Sequence, residues 1–155
     1  MLSEAIAFAA EAHRLQRDKN GQPYILHPLR VMYAVLEKGL PETYAVVAVL
    51  HDTVEDTEVN LEEIEGRFGS VVRQGVDAVS RRRDPDTGEW SETHAEYIDR
   101  CLQDPIGLEV KECDTYDNMN PKRFHPAVPY GRYIKVLQKI TTIRENCSGE
   151  NKPAS

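Results

Sequence analysis

The sequence predicts an all-α domain, a helical bundle interrupted by one short loop or β-hairpin insertion. Three observations predict it. Apolar residues recur at helical spacing along most of the chain. Capping and stopping residues divide those runs into helix-length pieces. The one clear interruption rich in turn chemistry, Arg81–Trp90, is short.

The elements follow in order. Residues 3–16 place Ile6, Ala9, Ala10 and His13 on one face of a first helix. Charges, Asn20-Gly21 and Pro23 make Arg17–Pro23 an exposed loop. His27-Pro28 opens a second helix, with proline at a first-turn position. Leu29, Met32, Tyr33 and Leu36 form its apolar face, and Gly39 with Pro41 ends it. A third helix starts near Glu42 and runs on through His51-Asp52-Thr53-Val54-Glu55-Asp56-Thr57. It is apolar all round as far as Leu50, which places it at the centre of the bundle. Asn60 with Glu63 is a capping pattern for a short helix ending at Phe68-Gly69. Val71, Val72, Val76 and Val79 have helical spacing. Asp84-Pro85-Asp86 and Thr87-Gly88 are turn chemistry. Ser91 caps the next helix, and Asp104-Pro105 ends it and starts the one after. Ile106, Val110, Cys113 and Asp117 share a stripe of that helix. A proline-rich stretch, Pro121 to Pro129, precedes a last helix carrying Tyr133, Val136, Leu137, Ile140 and Ile143. Residues 1–146 are therefore read as one domain and 147–155 as a frayed polar tail.

Bulk properties bound the function. A chain of 155 residues fits one compact core. It has no apolar run long enough to span a membrane and no basic leader at its start, so no membrane partner is expected. Three irregularly spaced cysteines form no CxxC pair, and a reducing cytoplasm is the simplest setting. A net charge of −7 argues against a surface that grips nucleic acid. It leaves a small anionic substrate open, because a cation and a few local bases can reverse the sign inside one cleft. Whether the chain forms a homo-oligomer is not legible.

The chemistry is concentrated in His51-Asp52-Thr53-Val54-Glu55-Asp56. In a continuous helix, residues 51 and 55 share one face and 52 and 56 the neighbouring one. Three carboxylates directly after the apolar run Val46–Leu50 call for a counter-ion if they are buried. The adjacent imidazole favours a divalent transition metal. Taken alone, the segment also fits a solvated acidic helix end. His27 and Asp114, polar residues on two other apolar helices, tip the balance towards a metal.

Ala12-His13, Gln16, Lys19, Gly21, Pro23-Tyr24-Ile25 and His27-Pro28 together resemble the opening of the RelA/SpoT-type hydrolase domain of the HD superfamily, a group that includes stand-alone small alarmone hydrolases. Ala48 to Thr57 resembles its central motif, and Phe68-Gly69, Val110-Lys111, Asp114 and Asn118 match later landmarks in order. The resemblance runs over residues 4–119. It implies a helical HD bundle in which His27, His51, Asp52 and Asp114 hold a divalent metal, usually manganese. It also implies that Glu55 and Asp56 handle the attacking water. The implied reaction removes the 3′-diphosphate of guanosine tetra- or pentaphosphate as pyrophosphate, and some stand-alone members take the 2′-phosphate of NADPH instead. Arg17, Lys19, Lys111 and Asn118 are the candidate substrate contacts, with Arg81-Arg82-Arg83 as further phosphate partners or a solvated helix end.

The chain departs from the family pattern in two places. Adjacent Arg-Lys, which sandwiches the purine, is here Arg17-Asp18-Lys19, and Asn118 is followed by Met119-Asn120-Pro121. Both bear on base recognition and leave the metal ligands untouched. An HD hydrolase acting on another phosphorylated nucleotide and a non-catalytic nucleotide-binding module therefore stand as alternatives. His13 is expected to pack, His94 and His125 to lie on the surface, Trp90 and Tyr97 to staple the 81–90 loop, and Cys113 to be core.

Overall fold

The computed structural model describes residues 1–121 and 130–149. Helices α1 (Leu2–Ala12), α2 (Leu26–Glu37), α3 (Glu42–Leu50), α4 (Thr53–Asp56), α5 (Leu61–Phe68), α6 (Ser70–Val79), α7 (His94–Gln103), α8 (Pro105–Asn118) and α9 (Tyr130–Gly149) follow in order. The expected all-α bundle is the observed one. His125 and most of the proline-rich stretch lie outside the described residues, as do residues 150–155 of the expected tail.

Helix α3 is the axis. Ala45 to Leu50 are all fully buried, and α1, α2, α6 and α8 pack around them. Ala5 and Ala9 of α1, Val31 and Val35 of α2, and Val72 and Val76 of α6 complete the surrounding core. Two glycines let helices approach closely. A Cβ at Gly75 would come within 2.7 Å of a Val47 methyl. One at Gly107 would come within 2.5 Å of the Cys101 carbonyl oxygen, a backbone atom that cannot swing aside.

Several caps are as expected. Asn60 accepts from the Glu63 N–H at the start of α5, and Asp104 accepts from Ile106 and Gly107 at the start of α8. Others differ. The cap of α7 is Thr93, not Ser91, because Thr93 and Glu96 satisfy each other's backbone N–H groups in a full capping box. The first helix stops at Ala12 rather than 16, and residues 13–16 form a turn closed by Gln16 N–H to His13 O at 2.9 Å.

The largest difference lies in the third helix, which does not run on through residue 57. It stops at Leu50, and Asp52 sits at φ −98°, ψ −4° before the one-turn α4. Side chains take over the terminal carbonyls: His51 Nδ1 bonds Ala48 O at 2.7 Å and Thr53 Oγ1 bonds Leu50 O at 2.7 Å. Residues 51/55 and 52/56 therefore do not form two straight rows.

The 81–90 insertion is a small hairpin-like loop with one isolated antiparallel bridge, Arg83 to Trp90. The guanidinium carbons of Arg83 and Arg81 lie 3.5 and 4.4 Å from the Trp90 ring centroid, but Trp90 is 39% exposed and stacks within the loop; Tyr97, expected to share the stapling, is the one buried in the core. Helix α9 is fastened to the bundle by charge as well as by Val136 and Ile140. Glu109 and Glu112 of α8 accept from Lys38 of α2 and from Arg144 of α9. Burial opposes ionisation of Glu112, but Arg144 and Lys38 outweigh it and hold its carboxyl below the usual glutamate value.

Two predictions follow from this packing. Gly107→Ala forces a backbone overlap and lowers unfolding stability by about 1–3 kcal/mol, measured by urea denaturation; an unchanged midpoint contradicts the close approach. The Glu112 network stabilises the fold above the unfolded glutamate pKa of about 4.3. That stabilisation fades as pH falls through the lower native value. Glu112→Gln should therefore melt a few degrees below the parent at pH 7, with the gap closing towards pH 3. A gap that widens in acid contradicts the linkage.

Candidate metal centre

Three packed helices bring the donors together. His27 is the second residue of α2, His51 follows the last residue of α3, and Asp114 lies in α8. All three are buried, at 3%, 3% and 4% exposure. Each offers one donor atom, and these atoms lie within 4.8 Å of one another. His27 Nε2 is 3.1 Å from Asp114 Oδ1, and His51 Nε2 is 3.7 Å from the same oxygen. Asp52 joins from the other side, its Oδ2 3.0 Å from His51 Nε2 and 3.5 Å from His27 Nε2. The four predicted ligands thus converge.

The hydrogen bonds behind the rings decide what the cluster can hold. His51 Nδ1 faces the Ala48 carbonyl, which can only accept, so this nitrogen carries the proton. His27 Nδ1 faces Asp117 Oδ2 at 2.7 Å, and Arg30 holds that carboxylate through Nε at 2.7 Å and Nη2 at 3.2 Å. It is the donor by the same reasoning. In the neutral tautomers both Nε2 lone pairs therefore point at carboxylate oxygens. His51 Nε2 is buried and makes no hydrogen bond, although Asp52 Oδ2 lies only 3.0 Å away. Lone pairs facing carboxylates repel unless a positive charge sits among them. The donor set therefore fits a divalent cation.

The titration behaviour points the same way. Burial would lower the His51 pKa, but Asp52 and Asp114 raise it well above the ordinary imidazole value. Burial opposes ionisation of Asp114, yet Lys111 and the two histidines hold it far below the usual carboxylate range. Asp52 is likewise depressed against burial, mainly by His51. The site strongly favours positive charge at its centre.

Around this centre stands a second set of partners, part of it unforeseen. Lys111 Nζ donates to Asp114 Oδ2 at 2.8 Å, and Asn118 Nδ2 donates to Asp114 Oδ1 at 2.6 Å. Both were expected at the substrate; in the structure each donates to Asp114, one helical turn away on either side. Tyr24, Gln16, Arg30 and Asp117 were not singled out for the site. Arg30 and Asp117 carried a signal, since each lies three residues past a ligand on its own helix. Tyr24 Oη donates to Asp52 Oδ2 at 2.6 Å; burial first and Asp52 second keep the phenol protonated.

The acidic pair occupies two different settings. Glu55 Oε2 accepts the Arg81 backbone N–H at 2.8 Å, and burial raises its pKa above the ordinary glutamate value. It borders a cleft of 700 Å³ also lined by Arg73, Arg81, Arg82 and Arg83. Asp56 is raised by burial and then by Asp52, while the polar groups of Gln16 and Tyr24 oppose the rise. It borders a separate recess with Gln16 and Leu15.

Arg17 and Lys19 are exposed on the loop after α1. Asp18 between them is folded inward on the loop itself, accepting from the Asn20 and Gln22 N–H groups at 2.9 Å each. Arg81 and Arg83 donate to the carbonyls of Glu92 and Gly88, and Arg82 pairs with Asp77. Cys113 is buried beside the cluster and contributes no donor to it. His94, expected on the surface, is partly buried at the start of α7, its ring 6.0 Å from Tyr97.

Comparison with known proteins agrees with this geometry. A family model described as an HD domain matches residues 5–102. A guanosine-3′,5′-bis(diphosphate) 3′-pyrophosphohydrolase of Aquifex aeolicus is 36% identical over 119 residues, covering 76% of this chain and 17% of that protein. The chain thus spans about a sixth of that relative's length. The Danio rerio guanosine-3′,5′-bis(diphosphate) 3′-pyrophosphohydrolase MESH1 is 38% identical over 105 residues, covering 65% of this chain and 58% of that one. Among solved structures, a metazoan ortholog of SpoT described as hydrolysing ppGpp superposes with a TM-score of 0.72 at 26% identity, covering 90% of this chain and 84% of its own. Among the described residues no helix is long and apolar enough to cross a membrane. On the family match, the chain belongs to the HD domain family.

Proposed function

We propose that this chain is a metal-dependent phosphohydrolase that removes the 3′-diphosphate of guanosine polyphosphates as pyrophosphate. The observation that carries the reading is the convergence of two imidazole lone pairs and two carboxylates from three helices, with Glu55 and Asp56 directly after them. His27, His51, Asp52 and Asp114 would hold a divalent ion, with manganese the choice that the family resemblance favours. When bound, such an ion polarises a phosphoryl oxygen and makes water a competent nucleophile at neutral pH.

The chain's own residues do the rest. Glu55, its basicity raised by burial, orients the attacking water and accepts its proton, with Asp56 assisting. The water oxygen bonds to the phosphorus next to the ribose. The P–O3′ bond breaks, the ribose oxygen takes up a proton, and pyrophosphate leaves. Arg17 and Lys19 meet the nucleotide from the exposed loop, while Lys111 and Asn118 act through Asp114 by fixing its oxygens.

A second reading keeps the metal centre and changes the nucleotide. Asp18 occupies the place of the purine-stacking arginine, and its carboxylate is engaged in folding its own loop. NADPH, losing its 2′-phosphate, or a simple nucleotide would then be the substrate. A nucleotide panel assayed for phosphate against pyrophosphate release separates the two. Binding without turnover in metal-replete protein would mark a non-catalytic module.

Chelation should abolish pyrophosphate release from guanosine tetraphosphate, and manganese should restore it. His51→Ala and Asp52→Ala should each lower it by about 100-fold or more. If manganese-loaded protein leaves that substrate intact, the assignment fails. Asp117→Asn removes the carboxylate that orients His27 and should weaken metal affinity by about 10–100-fold, read by competition with a metal indicator. Unchanged affinity would show that the His27 tautomer needs no such support.

A further inference from the structure

The Glu55 carboxylate is held by a backbone N–H whose own peptide group is anchored at its other end. Glu55 Oε2 accepts from the Arg81 N–H at 2.8 Å. The carbonyl of the same peptide, Ser80 O, accepts from Arg100 Nη2 at 2.9 Å. A peptide group is planar and nearly always trans, so its C=O and N–H point in opposite directions and turn together. Fixing the Ser80 oxygen therefore fixes the direction of the Arg81 hydrogen. A guanidinium at that oxygen also polarises the peptide and strengthens its N–H as a donor.

Arg100, half-buried on α7, uses every nitrogen of its guanidinium here. Nη1 donates to Asp77 O at 2.8 Å and Ala78 O at 3.4 Å. Nη2 serves Ser80 O and also Glu92 Oε1 at 2.6 Å, and Nε serves Glu92 Oε2 at 3.1 Å. These are the terminal carbonyls of α6, which a helix leaves largely without internal donors. Tyr97 Oη, one turn earlier on α7, takes the remaining Val79 O at 2.5 Å. Ser80 leaves the helix at φ −98°, ψ 128°, so the next peptide swings out of line with α6 and its N–H meets Glu55. On the far side of Arg81, the Arg82 N–H donates to Glu92 Oε1 at 2.8 Å. The Glu92 carbonyl receives Arg81 Nη2 at 2.7 Å. Both peptide groups flanking Arg81 are thus held by one bidentate Arg100–Glu92 pair.

We propose that Arg100 and Glu92 form a positioning clamp for Glu55, in which their ion pair fixes the Ser80–Arg81 peptide so that its N–H holds the Glu55 carboxylate in place for the attacking water. The proposal rests on the reading of Glu55 as the group that orients that water and accepts its proton. Arg100 spends its guanidinium inside the protein, and both residues act through the Arg81 N–H. Burial raises the Glu55 pKa and the Arg81 N–H opposes it, with Asp52 and Asp56 adding to the rise and Lys111 to the opposition.

The test uses the full manganese-loaded chain and guanosine tetraphosphate, and compares the parent with Arg100→Met, Arg100→Lys and Glu92→Gln. Methionine removes the fork, and lysine keeps the charge but brings a single nitrogen. Both Arg100 variants should lower kcat by about tenfold, a fraction of what a general base contributes, with KM within about twofold and bound manganese unchanged. The acidic limb of kcat/KM should move to higher pH, because the ionised form of Glu55 loses a donor. Combining Arg100→Met with Glu92→Gln should cost no more than Arg100→Met alone. A merely structural role would lower stability yet leave the kcat of the folded protein and its acidic limb in place. That result, a rise in KM at constant kcat, loss of manganese, or full activity in Arg100→Lys would each overturn the clamp. Should Arg100→Met fail to fold, Glu92→Gln, which keeps an acceptor for the Arg82 N–H, carries the comparison with a smaller loss and the same direction of shift. Proton NMR of the Arg81 amide, with diamagnetic zinc in place of manganese, gives a readout free of turnover. Its resonance should move as Glu55 titrates in the parent and follow that titration less in Arg100→Met; an amide indifferent to Glu55 in the parent refutes the clamp. If the parent shows this coupling without any turnover, the clamp on Glu55 stands and the function assigned to the site falls.

Discussion

The centre of this protein is organised around two imidazole nitrogens that need a positive charge between them and the carboxylates they face. His27 and His51 each spend Nδ1 on an acceptor behind the ring, so their Nε2 lone pairs are turned inward onto Asp52 and Asp114. Buried this way, the arrangement is unfavourable without a cation or a proton. Packing of α2 and α8 against the fully buried α3 holds it together. The apolar core thus maintains a polar arrangement that would otherwise spring apart.

The break between α3 and α4 divides the labour within six consecutive residues. A straight helix would stack Glu55 over His51 and Asp56 over Asp52. Instead His51 and Asp52 face the metal cluster from the end of α3. Beyond the break, Glu55 reaches the Arg81 backbone and Asp56 borders a recess that Gln16 also lines. Outer partners then immobilise the inner ones: Lys111 and Asn118 for Asp114, Asp117 with Arg30 for His27, and Tyr24 for Asp52. Sites held by such supporting bonds lose little reorganisation energy during a reaction.

Positive charge is gathered locally on an otherwise acidic chain. The net charge of −7 is that of the chain as a whole. Arg73, Arg81, Arg82 and Arg83 gather around the cleft that Glu55 borders, and Arg17 and Lys19 project from the loop after α1. Asp18, the departure most visible in the sequence, has a local structural task as the acceptor that closes its own loop.

Much was legible from the chain alone, where the information is local. The buried character of α3 followed from its unbroken apolar run, and the caps at Asn60 and Asp104 from residue type and position. The donors His27, His51, Asp52 and Asp114 stood out as polar residues on apolar helices. What the sequence could not convey depended on partners far along the chain. Nothing near His27 indicates that Asp117, ninety positions later, sets its tautomer. Nor does anything near Glu55 indicate an N–H donor twenty-six positions away. Lys111 and Asn118 looked like substrate contacts because sequence shows a charge or an amide but not its direction. Both sit one turn from Asp114 on α8, so helix periodicity itself brings them to it. Residue types and periodicity determine which groups are available to a site, whereas tertiary packing decides which atom of each group faces which neighbour, because hydrogen bonds and charge act over a few ångströms of space rather than along the chain.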